Sequence, residues 1–317
     1  MVEVLCPDRS GVMAGLKVFQ EVGADCFILF GGGSPMDLGK AVAALSVRPD
    51  KKVENLQGML KVRKKVPTIY AVPTTSGTGS ETTIASVITC EETHHKASIS
   101  DPALMPSYAV LCPELTLGLP PQVTAETGMD ALCHAVESFT NSKYNTQLED
   151  DYAKKAVRLI HDNIYAAYSN GQDLIARENM QLAAFYAGRS FTRGCVGYVH
   201  AIGHTLSGLY GVSHGQAMAV ILPKVLRKYG KSCERNLAIL ADACGMQGRS
   251  ISQLAENFIQ WIEDTNDSMG IPRKFEMIKD EDIPTMIKWA MKEANPLYPT
   301  PELWGEKDFK QLIEMIK

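Results

Sequence analysis

Cys26-Phe27-Ile28-Leu29-Phe30-Gly31-Gly32-Gly33-Ser34-Pro35 is the stretch on which the fold turns. Five apolar residues in a row, ended by three glycines, predict a short strand buried on both faces, as in the middle of a parallel sheet. Before it, Val12, Met13, Leu16, Phe19 and Val22 recur at helical spacing. After it, Leu38, Ala41, Val42 and Leu45 resume the 3.6-residue period, with Ser34 expected as the N-cap and Pro35 at the first helical position. A second strand is predicted at Thr68-Ile69-Tyr70-Ala71-Val72, ending in the polar, Gly-rich turn Pro73-Thr74-Thr75-Ser76-Gly77-Thr78-Gly79-Ser80. Strand, turn and helix in succession are the grammar of an open α/β sheet.

Farther along, residues 124–317 are rich in Ala, Leu, Met and Glu with almost no β-branched alternation, which predicts a helical second half. Pro120-Pro121 punctuates the change, so the expected domains are 1–119 and 120–317. A chain of 317 residues exceeds what one core usually organises, in agreement with two domains. The net charge of -4 is spread without a basic stripe, which argues against a nucleic-acid partner. No apolar stretch approaches the roughly 18–20 residues that cross a bilayer, and the first residues do not resemble a signal peptide, so a soluble, cytoplasmic protein is expected. The eight cysteines form no CxxC pair, as expected of free thiols. The lysines and arginines between Lys51 and Lys65 read as a solvated face.

Two features carry chemistry. The first is the pair of Gly/Ser/Thr-rich turns, each at the carboxyl end of a predicted strand, where open α/β sheets bind ligands and backbone N–H groups can approach a phosphate. One such turn needs no ligand to explain it, but two in tandem favour a phosphate-bearing one. Neither is a GxGxxG fingerprint, and the second lacks the lysine of a P-loop. The second feature is histidine placement. Asp130 and His134 lie four apart, as do His200 and His204, and His214 follows a short turn. On helices these spacings put the paired side chains on one face. Imidazole and carboxylate suit a borderline divalent metal such as iron or zinc. A single buried histidine is more often a hydrogen-bonded core residue, but four in small, apolar segments with a carboxylate favour a site. His94-His95, in a polar stretch, reads as exposed loop. No GxSxG elbow or HExxH is present, so acyl transfer and metalloprotease chemistry find no support.

The segments GGGSPMDLGKAVA (31–43), AVPTTSGTGSETT (71–83), KASISDPALMPSYAVLCPELTLGLPPQVTAETGMDALCHAVE (96–137) and GYVHAIGHTLSGLYGVSHGQAMAVILP (197–223) resemble the iron-containing alcohol dehydrogenase family, as does Ala294-Asn295-Pro296-Leu297-Tyr298-Pro299. The resemblance implies an α/β N-terminal dinucleotide-binding domain followed by an all-α metal-binding domain, with the active site between them. Carried over by position, the metal ligands are Asp130, His134, His200 and His214, with iron as the first expectation and zinc as the second. His204 matches a histidine beside the substrate and is expected to relay protons. Gly32, Gly33 and Ser34 are expected at the cofactor pyrophosphate, Thr74, Thr75, Thr78 and Ser80 along the rest of the cofactor, and Lys96, Thr116 and Val123 as further contacts. The implied reaction moves a hydride between a small primary alcohol or diol and NAD or NADP, the metal acting as a Lewis acid on the substrate oxygen. Phe139, Phe191 and Tyr198 are expected to line a small cleft.

Family members carry several βα units before the Gly-Gly-Gly-Ser turn, whereas few residues precede Gly31 here. The expected parallel sheet is therefore incomplete, with an apolar surface that a partner chain covers in a homodimer or higher homo-oligomer. The competing readings are a zinc enzyme of the glycerol dehydrogenase type, which uses fewer protein ligands, and a weakly active chain that serves as a binding subunit.

Overall fold

The structure is a computed structural model that describes residues 8–89, 96–141 and 143–317, without the side chains of Lys96 and Ala97. Helix α1 (Arg9–Glu21) starts at Asp8, whose carboxylate accepts the Gly11 N–H at 2.7 Å. It leads into strand β1 (Cys26–Gly31) and helix α2 (Gly33–Val47). Short elements α3 (Val53–Leu56) and β2 (Gly58–Met59) precede strand β3 (Thr68–Pro73). Strands β4 (Ala85–Thr89), β5 (Lys96–Ser100) and β6 (Tyr108–Ala109) complete the α/β part.

Two three-stranded sheets result. In the first, β3 lies between β1 and β6, and all three are parallel, with Cys26 opposite Thr68 and Gly31 opposite Pro73. In the second, β5 lies between β2, parallel to it, and β4, antiparallel to it. Leu29, Ile69 and Ala71 of the first sheet are buried in one core with Val12 of α1 and Met36, Ala41, Val42 and Leu45 of α2.

Three expectations need correction here. Strand β1 is not buried on both faces: side chains alternate along a strand, and Ile28 and Phe30 on the second face are 71% and 58% exposed. An unbroken apolar run cannot tell a sheet covered on both sides from one covered on one; on the covered face Leu29 meets α2 at Gly39 and Phe27 stacks on Phe19 of α1. Helix α2 starts earlier than expected, with Gly32 rather than Ser34 at the N-cap. Pro35 fits within the first turn because N–H groups there have no intrahelical acceptor. The second Gly-rich turn runs not into an α-helix but into a single 3-10 turn, Ser80–Thr82, and then β4.

The second half is helical throughout: α4 (Pro121–Asn141), α5 (Gln147–Ser169), α6 (Leu174–Gly194), α7 (Tyr198–Tyr210), α8 (His214–Tyr229), α9 (Lys231–Ala243), α10 (Ile251–Ser268), α11 (Ile283–Ala294) and α12 (Glu306–Ile316). Helix α4 is the axis of this domain, packed against α5, α6 and α8 and buried along nearly its whole length. The chain between the two parts is held by Arg177 of α6, a buried guanidinium that donates to the carbonyls of Gly171 (2.9 Å) and Leu119 (3.3 Å) and to Thr124 Oγ1 (2.7 Å). Among the described residues no helix is long and apolar enough to cross a membrane. The six described cysteines are free.

Helix α2 can approach β1 only because residue 39 is glycine; a Cβ there would lie 2.2 Å from Leu29 Cδ2. Replacing Gly39 by Val forces that contact apart, and we expect a loss of about 1–3 kcal/mol. Urea denaturation followed by circular dichroism measures it; an unchanged midpoint would show that the helix–strand packing is looser than described.

Candidate active site

Helix α4 places Asp130 and His134 one turn apart, α7 does the same for His200 and His204, and α8 begins at His214. Asp130 Oδ1 is the point of convergence. It lies 3.8 Å from His134 Nδ1, 3.9 Å from His200 Nε2 and 3.4 Å from His214 Nε2. One ligand atom from each of these residues lies within 4.8 Å of all the others. The α8 end is brought there by a tie the sequence did not reveal: Ser213, the N-cap of α8, donates to Glu126 Oε2 on α4 at 2.6 Å. Asp130, His134 and His200 are buried, whereas the His214 side chain is 29% exposed, so the cluster is open to solvent on that side.

Burial sets the charge of these groups. It drives the His134 imidazole well below its ordinary pKa, helped by the neighbouring His200, while the Gly77 backbone works in the opposite direction. It lowers His200 to about 3, again with help from a neighbouring imidazole, His204. Both rings are therefore neutral at physiological pH, the form that ligates metals. His134 Nδ1 and His200 Nε2 are buried without a hydrogen-bond partner, which is costly unless something else engages them. A tetrahedral shell with bonds of about 2.0–2.2 Å has edges of about 3.4 Å. The separations around Asp130 are of that size, and the donor set of one carboxylate and three imidazoles fits a divalent cation.

Carboxylates that the sequence analysis missed flank the histidines. Glu137 Oε2 is 2.5 Å from His200 Nδ1, and Glu137 Oε1 accepts the Val199 N–H at 2.8 Å. Burial raises its pKa to about 7, against the N–H groups of Gly197 and Val199. Glu293 Oε1 on α11 is 2.8 Å from His204 Nδ1 and accepts from Tyr298 Oη at 2.8 Å. Burial pushes Glu293 up, but the charge and hydrogen bond of His204 outweigh it and the net direction is down. Glu137 follows Asp130 by seven residues, two helical turns, so its shared face was legible in principle. Glu293 comes from a helix remote in sequence and had no local signal.

The two Gly-rich turns lie side by side. A Cβ at Gly32 would meet Thr75 at 3.2 Å, and one at Gly33 would meet Thr78 at 2.8 Å. Ser34 is in the first turn of α2, whose free N–H groups and dipole favour an anion. The Thr74 N–H is bonded to the Gly31 carbonyl at 3.0 Å, and Thr78 Oγ1 accepts from the Ser80 N–H at 3.3 Å. Lys40 is wholly buried and its ammonium meets five acceptors at 2.6–3.0 Å: the carbonyls of Ser80, Thr83 and Ala85 and the hydroxyls of Ser80 and Thr83. Ser80 Oγ also donates to Asp37 Oδ1 at 2.8 Å, so this hydroxyl is engaged within the protein. Val123 is in the first turn of α4 and Thr116 is buried, its hydroxyl on the Pro113 carbonyl. Lys96 opens β5, but its side chain lies outside the described residues, as do His94 and His95. Of the three aromatic residues expected along the cleft, Phe191 stacks on His134 with ring centroids 4.1 Å apart. Phe139 is buried in the helical core, and Tyr198 packs against Trp304 with its hydroxyl bonded to Asn295. Their spacing from the histidines along the chain did not show that they face away from the cluster.

This fold and this cluster define a class of oxidoreductase. The chain matches the family "Iron-containing alcohol dehydrogenase" over residues 6–113 and "Fe-containing alcohol dehydrogenase family, C-terminal" over residues 124–316, and it belongs to that family. It is 36% identical to a 1,3-propanediol dehydrogenase of Citrobacter freundii over 311 residues, covering 97% of this chain and 80% of that protein. It is 34% identical to an NAD-dependent methanol dehydrogenase of Bacillus methanolicus, covering 97% and 81%. A solved 1,3-propanediol oxidoreductase superposes with a TM-score of 0.94 at 35% identity, covering 99% of this chain and 82% of that one.

Beside Lys40, burial raises the Glu81 pKa from 4.5 to about 7 and lowers that of Lys40 to about 8, the latter opposed by Asp37 and Glu81. Between pH 4.5 and about 7 the folded chain retains a proton on Glu81 that the unfolded chain releases, so this group disfavours folding increasingly as pH rises. Glu81→Gln should therefore match the parent near pH 5 and exceed it by about 1–3 kcal/mol at pH 8. Denaturant midpoints at the two pH values test this; an equal difference at both would refute the assignment.

Proposed function

We propose that the chain is a metal-dependent NAD(P) alcohol dehydrogenase and aldehyde reductase acting on small primary alcohols or diols. The observation that carries this reading is the convergence of His134, His200 and His214 on Asp130 beside the paired Gly-rich turns. On this reading Asp130, His134, His200 and His214 hold iron, with zinc the competing occupant because divalent ions share such N/O sites. Four converging ligand atoms support this branch over a glycerol dehydrogenase-like site with fewer. A cation held there supplies Lewis acidity to the substrate oxygen, and a nicotinamide cofactor supplies the hydride acceptor or donor.

The chain's own groups do the rest. Gly32, Gly33 and Ser34 offer the α2 N-terminus to the pyrophosphate, and Thr74, Thr75 and Thr78 line the adjoining wall, with Ser80, Lys96, Thr116 and Val123 farther along it. Phe191 stacks on His134 and fixes its ring plane. His204 donates its Nδ1 proton to Glu293, which leaves Nε2 to accept a proton from the substrate side. Its side chain is 21% exposed, which gives that proton a way to solvent. We place the protein in the cytoplasm, supported by its free thiols, and read it as a homo-oligomer, supported by the exposed apolar face of the first sheet. The expected domain division at 119/120 is supported by the start of α4 at Pro121.

Three experiments test this reading. Asp130→Ala and His214→Ala should lose bound metal, measured after anaerobic purification, along with nearly all alcohol oxidation. His204→Ala should keep the metal but lower turnover by about 10²–10⁴-fold; loss of metal in that variant would remove the relay role. Titration with NADH, followed by fluorescence, separates the enzyme from a non-catalytic binding subunit, because saturation below millimolar cofactor is expected only of the former.

A further inference from the structure

Glu137 is not among the four residues of the Asp130 cluster, yet it is in hydrogen-bond contact with one of them. Its Oε2 lies 2.5 Å from His200 Nδ1, while the nearest ligand-to-ligand distance to Asp130 Oδ1 is 3.4 Å. Its Oε1 accepts the Val199 N–H at 2.8 Å, so one carboxylate grips both the first turn of α7 and the ring that turn carries. The seat is close: a Cβ at Gly197 would lie 2.8 Å from Glu137 Oε1. Cys133 also lies near His200 Nδ1, with its sulfur 3.9 Å away. Burial raises the pKa of that thiol well above its ordinary value, so it remains a weak, neutral group.

An imidazole has one proton to place when neutral, and its partner decides which nitrogen carries it. The Val199 N–H that Glu137 accepts favours its carboxylate form against burial, and a carboxylate beside His200 Nδ1 can complete its shell only by accepting Nδ1–H. The lone pair of His200 then sits on Nε2, the buried nitrogen without a hydrogen-bond partner that faces Asp130 at 3.9 Å. With the opposite tautomer, Nε2–H would point into the cluster and block ligation. We infer that Glu137 is the positioning residue that fixes the tautomer and orientation of His200, and thereby sets how tightly the Asp130, His134, His200 and His214 cluster holds a divalent cation. This rests on the metal reading above, but its first consequence, the tautomer, does not need a metal.

Glu137→Gln is the informative variant. Its amide oxygen can still accept the Val199 N–H and keep the cap on α7, while its NH2 group faces His200 Nδ1 and makes that nitrogen an acceptor. In metal-free, 15N-labelled protein, long-range 1H–15N spectra should show His200 protonated at Nδ1 in the parent and at Nε2 in the variant. Cobalt(II) binding, measured by competition with a chromophoric chelator, should weaken by about 10–100-fold. Glu137→Asp, which cannot reach both groups at once, should fall between the two in affinity and serves if the Gln variant does not fold. A carboxylate that merely caps α7 would change the melting temperature while leaving the His200 tautomer and the cobalt affinity of the folded protein as in the parent. That result would overturn the inference. If the parent itself bound no cobalt, the metal reading would fall and the claim about affinity with it, whereas the spectra would still decide whether Glu137 sets the tautomer.

Discussion

Three imidazole nitrogens within 3.9 Å of one buried carboxylate oxygen is the constraint around which the helical domain is organised. Burial holds the His134 and His200 rings neutral and leaves His134 Nδ1 and His200 Nε2 without a hydrogen-bond partner, which is costly unless something else engages them. The arrangement is therefore one that a divalent cation stabilises. Helix α4, which carries Asp130 and His134, is buried along almost all of its length against α5, α6 and α8, and the ligand-bearing side chains of α7 and of the start of α8 reach it from there. The Ser213–Glu126 hydrogen bond and the Glu137 contacts to Val199 and His200 are the two clamps that fix those approaches.

The α/β part solves a different problem, which is to hold two short turns at one sheet edge. Helix α2 does both jobs. Its first turn is the anion-favouring end beside Gly32 and Gly33, and its next turns carry Asp37 and Lys40, which bind the chain between Ser80 and Val87. A buried ammonium with five oxygen acceptors is satisfied more fully than most surface ion pairs, and it ties the second turn to the helix that presents the first. Lys40 is thus a structural counterpart of the missing P-loop lysine: it organises the loop from behind instead of touching a phosphate.

Local chemistry explains what was legible in the sequence. Strands β1 and β3, helices α1 and α2 and the helical character of the second half all carry their own periodicity or apolar runs. The i, i+4 pairs Asp130/His134 and His200/His204 were visible because a helix repeats itself, and the structure brings Asp130, His134 and His200 together with His214, on whose ring His204 stacks. What could not be read depends on neighbours distant in the chain. Exposure of Ile28 and Phe30 reflects what packs over a sheet face, not the residues of the strand. Tyr198 sits between two histidine-bearing segments yet turns into the core, because Trp304 and Asn295, about a hundred residues later, supply its stacking and hydrogen-bond partners. Glu293 reaches His204 from α11 by the same kind of long-range contact.

Helix α6 relates the two halves and was not singled out by any motif. On one face, Gln181 donates to the Pro73 carbonyl at 3.2 Å and Thr192 to the Thr82 carbonyl at 3.3 Å. Between them, Gly188 lets the helix approach Gly79 so closely that a Cβ on Gly79 would lie 2.8 Å from Gly188 Cα. One residue before Thr192, Phe191 stacks on His134. A single rigid helix thus touches both ends of the Thr74–Ser80 turn and one of the converging imidazoles. An α-helix rises only about 1.5 Å per residue and scarcely stretches, so these contacts along α6 set the separation between turn and cluster. For the hydride transfer proposed above, between a cofactor on the Gly-rich turns and a substrate at the cluster, such a fixed span matters because misplacement of about 1 Å is enough to lose much of the rate.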